Sequence, residues 1–377
     1  MKSNRLLIYL FICCAISFGT GCSKTNLPMN STRSFYMGVT PWPADFTQTE
    51  VLGAYQFINQ HCDIISQHFD DGIPWQEALQ QQPMPTAFQQ DVQNRIALTP
   101  PGKTILLSVS ALNLTRKAKS DYYKHSSPNI TDSIRQHWQQ IRFSDPSVSN
   151  AYLHYISYLI DQFQPAYVNF GVESNLSVWP ENDFNDYLIF IQQVYAALKI
   201  KYPQLPFFVS LMAEEGTSAL NNAARLLPYS DYVALSAYPY ITSGSSANGN
   251  TNPQLLPTDY FTRYINLAPN KPFAFAETGY NAEPLQIAAF QLNKQGNAAW
   301  QDAYLQQVLQ LCQQQHAVFF IWFCYKDYNA GVQTLISMGQ YQPLFSLWSD
   351  MGLVSESNQL RPAYQTWLNW MQMNREP

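Results

Sequence analysis

Apolar and β-branched residues fall in short runs along the chain, each followed by a polar, Gly- or Pro-bearing stretch and then by apolar positions at helical spacing. Eight such runs recur: Phe35–Val39, Cys62–Ser66, Thr104–Val109, Ala166–Phe170, Pro206–Leu211, Tyr232–Ser236, Pro272–Ala276 and Ala317–Phe323. They are near-continuous rather than alternating, which predicts parallel strands buried on both faces. Between them, Thr47 and Glu50 form a capping box that opens a helix running to about Gln60. Tyr152, Ile156, Leu159 and Phe163 share one helix face before Pro165, and Phe184, Leu188, Ile191, Tyr195 and Leu198 share another before Pro203. Ala299–Gln315 and Pro362–Met373 complete the helical set.

Eight strand–helix units in sequence predict an α/β fold, a single (β/α)8 TIM barrel with extended loops after its strands. A doubly wound open sheet would carry a Gly-rich phosphate turn after its first strand. Here that turn is Gly38-Val-Thr-Pro-Trp-Pro43, which cradles no pyrophosphate, and the chain holds no P-loop, no GxGxxG and no GxSxG. The surplus over a minimal barrel lies after strands, in Leu112–Pro146, Pro239–Pro257 and Tyr325–Gly352, on the face where barrel sites are built. Ser243–Asn252, rich in Ser, Gly and Asn, reads as a mobile loop.

The N-terminus changes the picture of where the domain works. Lys2 and Arg5 precede an apolar run, Leu6–Phe18, too short to span a bilayer. Gly19, Thr20 and Gly21 then lead into Cys22, a pattern that resembles a bacterial lipoprotein signal with Cys22 as the lipid-bearing first residue. Gly19 stands where that pattern most often has Leu, and ordinary secretion is the alternative. The organisation expected is a signal over 1–21, a tether over 22–34 and the barrel over 35–377, working outside the cytoplasm. Cys62, Cys312 and Cys324 then remain, as buried thiols or with one disulfide among them.

Net charge is −5, charged residues are only 12% of the chain, and no long Lys/Arg stripe exists, which argues against a nucleic-acid partner. Aromatic residues make up 15%, a composition that suits stacking on sugar rings without requiring it. Strand ends then supply the candidate chemistry: Trp42, His68, Glu173 with Asn175, Glu214 with Glu215, Tyr238, Glu277 with Tyr280, and Trp322 with Lys326. Glu173 and Glu277 each follow an apolar strand, where an ionised carboxylate is costly unless it is hydrogen-bonded or has work to do. The fourth and seventh strands face each other across a closed eight-stranded barrel, so two Glu side chains there can address one bond. A metal site from His68 plus acids lacks any HxH support, and neither metal nor cofactor is expected.

This layout resembles the retaining glycoside hydrolases of clan A, with Glu ending the fourth strand, Glu ending the seventh and Trp at the eighth. Gly38-Val-Thr-Pro-Trp42, Ala234-Leu-Ser-Ala-Tyr-Pro-Tyr240 and Ala276-Glu-Thr-Gly-Tyr280 bring it closer to the family 53 arabinogalactan endo-β-1,4-galactanases. The resemblance implies Glu173 as general acid/base and Glu277 as nucleophile, their carboxyls roughly 5–5.5 Å apart. Tyr238 would bond Glu277, and Trp42, His68, Asn175, Trp179, Tyr280 and Trp322 would line the sugar groove, with Trp322 as its floor. A monomer acting on a β-linked polysaccharide such as galactan is expected, held at a membrane through Cys22. Two departures stand out. Val172 occupies the place of the Asn that holds the sugar 2-OH, leaving Asn175 or Asn169 to compensate, and the clan's Arg near the first strands has no evident counterpart. A barrel that binds sugar without turning it over is the alternative, and an unrelated barrel hydrolase a third reading.

Overall fold

Alternation within each strand decides which residues fill the barrel and which meet the helices. The computed structural model describes residues 32–376, so the signal segment and Cys22 lie outside the described residues. Eight parallel strands close on themselves in sequence order: β1 Tyr36–Val39, β2 Ile64–Phe69, β3 Thr104–Val109, β4 Tyr167–Gly171, β5 Phe207–Met212, β6 Val233–Ala237, β7 Phe273–Thr278 and β8 Phe319–Trp322. Each lies within a residue or two of its predicted run, apart from β2, which extends past Ser66 through His68 to Phe69. Strand β8 stops at Trp322, one residue short of expectation.

Ile64, Leu106, Phe208, Ala234, Ala274, Ala276, Phe319 and Ile321 pack inside the barrel, over Tyr36, Tyr167 and Tyr232. Their out-of-phase neighbours, such as Leu107, Val209, Leu235, Phe275 and Phe320, join the larger core between strands and helices. Above the apolar layer the interior turns polar. Asn169 donates to the hydroxyls of Ser108 and Ser210 at 2.9 and 3.1 Å, so a hydrogen-bonded belt carries the charged mouth.

The helices follow their sequence signals. Thr47 caps Gln48–His61 by accepting from the Glu50 amide, and Pro146–Phe163, Glu181–Lys201, Ala298–Gln314 and Pro362–Met371 occupy the predicted stretches. The folded domain opens earlier than Phe35, because Thr32–Arg33 pairs with Asn374–Arg375 as a short parallel ladder. Buried Arg33 also meets Asp63 at 2.6 Å, just before β2. Cys62, Cys312 and Cys324 are buried free thiols. The Ser/Gly/Asn loop is pinned rather than loose: Lys294 Nζ donates to the Ser246 carbonyl at 2.6 Å and Thr251 to the Gln295 carbonyl at 2.7 Å. Among the described residues no helix is long and apolar enough to cross a membrane.

Candidate active site

Two irregularities in the barrel aim the key carboxyls. On β7 the pairing steps from Leu235↔Phe275 to Ser236↔Glu277, two residues against one. Ala274 and Ala276 point inward, so regular alternation would send Glu277 out toward the helices. The bulge turns it to the mouth instead and sends Thr278 outward, where it bonds Tyr304 at 2.7 Å. On β4 a similar step, Asn169↔Phe208 to Gly171↔Val209, precedes Glu173. Glu173 itself sits at φ 52°, the left-handed region that costs a non-glycine residue about 1–2 kcal/mol. Its amide is held by Ser210 Oγ at 3.0 Å, so the strained turn has a fixed backbone anchor.

Both carboxyls are largely buried, Glu173 bonded through both oxygens and Glu277 through one. Glu173 Oε1 accepts from Ser236 Oγ at 3.0 Å, and Oε2 pairs with Arg116 Nε at 3.0 Å. Glu277 Oε1 accepts from the Tyr238 hydroxyl, as predicted, and Oε2 lies 3.8 Å from His68 Nδ1. Asp70 joins the two halves, 3.3 Å from His68 Nε2 and 3.6 Å from Arg116. A continuous line of groups therefore runs Tyr238, Glu277, His68, Asp70, Arg116, Glu173.

The electrostatics follow from this line. Burial raises Glu277 above the ordinary carboxylate range, His68 opposes that, and the charge on Glu173 adds to it. For His68, burial works against the charged ring, yet Asp70 and Glu277 outweigh it and raise the imidazole above its usual value. Asp70 is held far below its usual value despite burial, by His68 first and then by Arg116 and Arg95.

Several expected contacts are not made. Asn175 is fully buried and spends its amide on the backbone of Met212 and Ala219, closing the turn after β4. Asn169 belongs to the polar belt below, so neither Asn replaces the missing one at Val172, itself buried. Trp179 stacks on Tyr187 at 5.2 Å in the helical layer. Tyr280 stacks on Tyr304 at 4.4 Å and bonds the Thr251 carbonyl. Trp322 is wholly buried, bonded to the Met351 carbonyl at 3.0 Å and packed against Tyr304.

The aromatic residue that reaches the mouth from β8 is Phe323, half-buried and 5.9 Å from the Trp42 ring. Trp42 in turn packs on Tyr328 and on exposed Phe46. Trp348 stands edge-on to Tyr238 at 5.9 Å. The buried indole N–H groups of Trp42 and Trp348 and the Thr40 hydroxyl have no protein partner. Such buried donors each cost about 1–3 kcal/mol unless something accepts from them.

Arg116 was not legible as a site residue. It lies at φ 58° in the long loop after β3, followed by Lys117 and Lys119 and outside any periodic pattern. Ser236 had a weak signal, a hydroxyl inside an apolar strand. A second acid cluster, Glu283, Asp327 and Asp350, brings oxygens within 4.8 Å of one another. Arg361 already bonds Asp327 through both nitrogens at 2.6 Å and Glu283 at 2.7 Å, so this is a charged cross-link between loops.

Fold and site together define a (β/α)8 barrel with a carboxyl pair from β4 and β7 at its C-terminal mouth. No protein-family model matches the sequence, and no curated protein is detectably similar to it. Among solved structures the chain is similar to an exo-β-1,4-mannosidase from Opitutaceae bacterium strain TAV5, with TM-score 0.59 and 16% identity over 90% of this chain and 59% of that one. A family 5 glycoside hydrolase from Streptomyces cattleya, in complex with a mannose–N-acetylglucosamine disaccharide, aligns with TM-score 0.59 and 14% identity over 90% of this chain and 80% of that one. A β-glucuronidase from Ruminococcus gnavus aligns with TM-score 0.51 and 12% identity over 90% of this chain and 51% of that one. The chain thus spans less than two thirds of the mannosidase and of the glucuronidase, and what it shares with all three is the barrel.

Proposed function

We propose that the protein is a retaining glycoside hydrolase acting on a β-linked sugar chain, with Glu277 as nucleophile and Glu173 as acid/base. The observation that carries this reading is the pair of largely buried carboxyls at the ends of β4 and β7, one of them bonded to Tyr238. In the first half-reaction a Glu277 oxygen bonds to the anomeric carbon while the glycosidic C–O bond breaks, and the departing oxygen takes the proton of Glu173. Water then attacks the glycosyl-enzyme, the ester C–O bond breaks, and Glu173 takes the water proton. Phe323, Trp42 and Trp348 supply ring faces beside the carboxyls. The neighbours act on or bind β-linked sugars by their descriptions, which favours this reaction class over other barrel chemistries.

Galactan as substrate and an endo mode of attack are the finer form of the proposal. They rest on the strand-end motifs, and on the aromatic line from Phe323 over Trp42 to Phe46, which extends beyond a single sugar. We place the protein outside the cytoplasm, lipid-anchored through Cys22. Cys22→Ser should then release it from the membrane fraction with its fold unchanged.

A second reading has its own support. Val172 and the Arg116–Glu173 ion pair both suit a barrel that holds sugar without cleaving it, because an ion pair engages an acid/base in its ionised form. The deciding experiment follows the anomeric proton by NMR during hydrolysis of β-galactan, β-mannan, β-glucan and xylan oligomers. A β-product appearing first supports the retaining mechanism. An α-product first contradicts it, and binding without cleavage selects the second reading.

A further inference from the structure

We infer that His68 is the positioning cation of Glu277 and that Asp70 keeps it in that role, an inference that rests on the glycosidase reading above. His68 points inward from the end of β2, in phase with Ile64 and Ser66. Its Nδ1 faces Glu277 Oε2 at 3.8 Å and its Nε2 faces Asp70 Oδ2 at 3.3 Å. The carboxylates facing the two ring nitrogens favour the imidazolium, which presents an N–H on each side. The ring is also fixed from behind, since Arg95 Nη1 donates to the His68 carbonyl at 2.8 Å.

The other cation of the mouth is committed elsewhere. Arg116 gives Nε to Glu173 at 3.0 Å and Nη1 to the Asn113 carbonyl at 3.2 Å, and its remaining nitrogen lies toward Asp70 at 3.6 Å. Groups that bear on His68 therefore come from its own strand end as Asp70, from β7 as Glu277, from the loop after β3 as Arg116, and from the helical layer as Arg95. Glu173 lies beyond Arg116, and Tyr238 beyond Glu277. Among these, His68 is the cation that stands directly before the nucleophile. It moves no proton in the reaction. Its charge offsets the cost of an ionised, buried Glu277 and, with Tyr238, orients the carboxyl from the opposite oxygen. A nucleophile held by an imidazole has a competence that falls as the imidazole loses its proton.

The test is covalent trapping by 2,4-dinitrophenyl 2-deoxy-2-fluoro-β-glycosides of gluco, galacto and manno configuration. Their leaving group needs no proton, so the acid role of Glu173 drops out and the nucleophile is read alone. Labelling of the intact protein is followed by mass spectrometry from pH 5 to pH 9. Wild type should label at Glu277, with a rate that falls as His68 deprotonates. His68→Gln should label roughly tenfold to a hundredfold more slowly near pH 6 and lose that fall. Asp70→Asn should label near the wild-type rate at pH 5, with the fall moved to lower pH because His68 has lost its partner. Labelling of His68→Gln at the wild-type rate, or with the wild-type pH dependence, overturns the inference and leaves the glycosidase reading standing. Should His68→Gln fail to fold, Asp70→Asn decides alone, and an unmoved pH midpoint overturns the inference. A wild type that none of the three reagents labels overturns the glycosidase reading, and this inference with it.

Discussion

Arg116 and Glu173 form an ion pair at 3.0 Å although 57 positions separate them, each side chain about 10% exposed. Removing one partner from such a pair leaves a buried charge without compensation, typically at a cost of about 3–5 kcal/mol. Arg116→Met should therefore lower the unfolding free energy by about 3–5 kcal/mol in urea melts. Glu173→Gln should cost less, because its amide still accepts from Arg116 or Ser236. An Arg116→Met protein as stable as the wild type would mean that the pair carries no net stability.

For the reaction, Glu277→Gln is the decisive change. The amide matches the carboxylate in shape, so oligosaccharide affinity by calorimetry should hold within about tenfold, or roughly 1.4 kcal/mol. Turnover should drop by a factor on the order of 10⁴ or more, the scale of losing a nucleophile. Unchanged turnover would remove Glu277 from the chemistry.

The two aromatics at the end of β8 should behave oppositely. Trp322 is wholly buried, so Trp322→Ala should destabilise by about 3–5 kcal/mol and leave little soluble protein. Phe323 faces the mouth beside Trp42. Phe323→Ala should keep more of its stability and raise KM, with kcat measured alongside. A Phe323→Ala protein with unchanged KM would exclude that ring from the sugar platform.

Stability should also depend on pH through His68. A folded-state pKa raised above the unfolded value contributes stability that is complete below about pH 6.5, and is lost as pH rises through the folded value. Unfolding free energy should accordingly decline as pH rises above about 6.5, and His68→Gln should remove that decline. Asp70, whose value is lowered, contributes with the opposite sign, losing its stabilisation only in strong acid.

Much of the fold was readable because parallel strands buried on both faces leave near-continuous apolar runs, and these located all eight strands and the mouth. Glu173, Glu277 and Tyr238 were readable as polar residues where such runs end, and the structure brings Tyr238 onto Glu277 as expected. Phase was harder. One residue decides whether Trp322 or Phe323 enters the mouth, and inward Phe319 and Ile321 select Phe323 by alternation. Asn175 and Tyr280 also lie next to strand ends, but their partners are distant backbone carbonyls that no local pattern reveals. Arg116 comes from an irregular loop with no periodicity to set its direction, so only the folded chain places it beside Glu173.

The short ladder between Thr32–Arg33 and Asn374–Arg375 sews the two ends of the described chain together. Arg375 lies over Tyr36 at 4.0 Å and Arg33 meets Asp63, both at the starts of strands, so the seam is on the floor of the barrel, opposite the carboxyls. The same adjacency makes the molecule a natural candidate for circular permutation, with a short linker across the seam and new ends cut into a loop of the opposite rim.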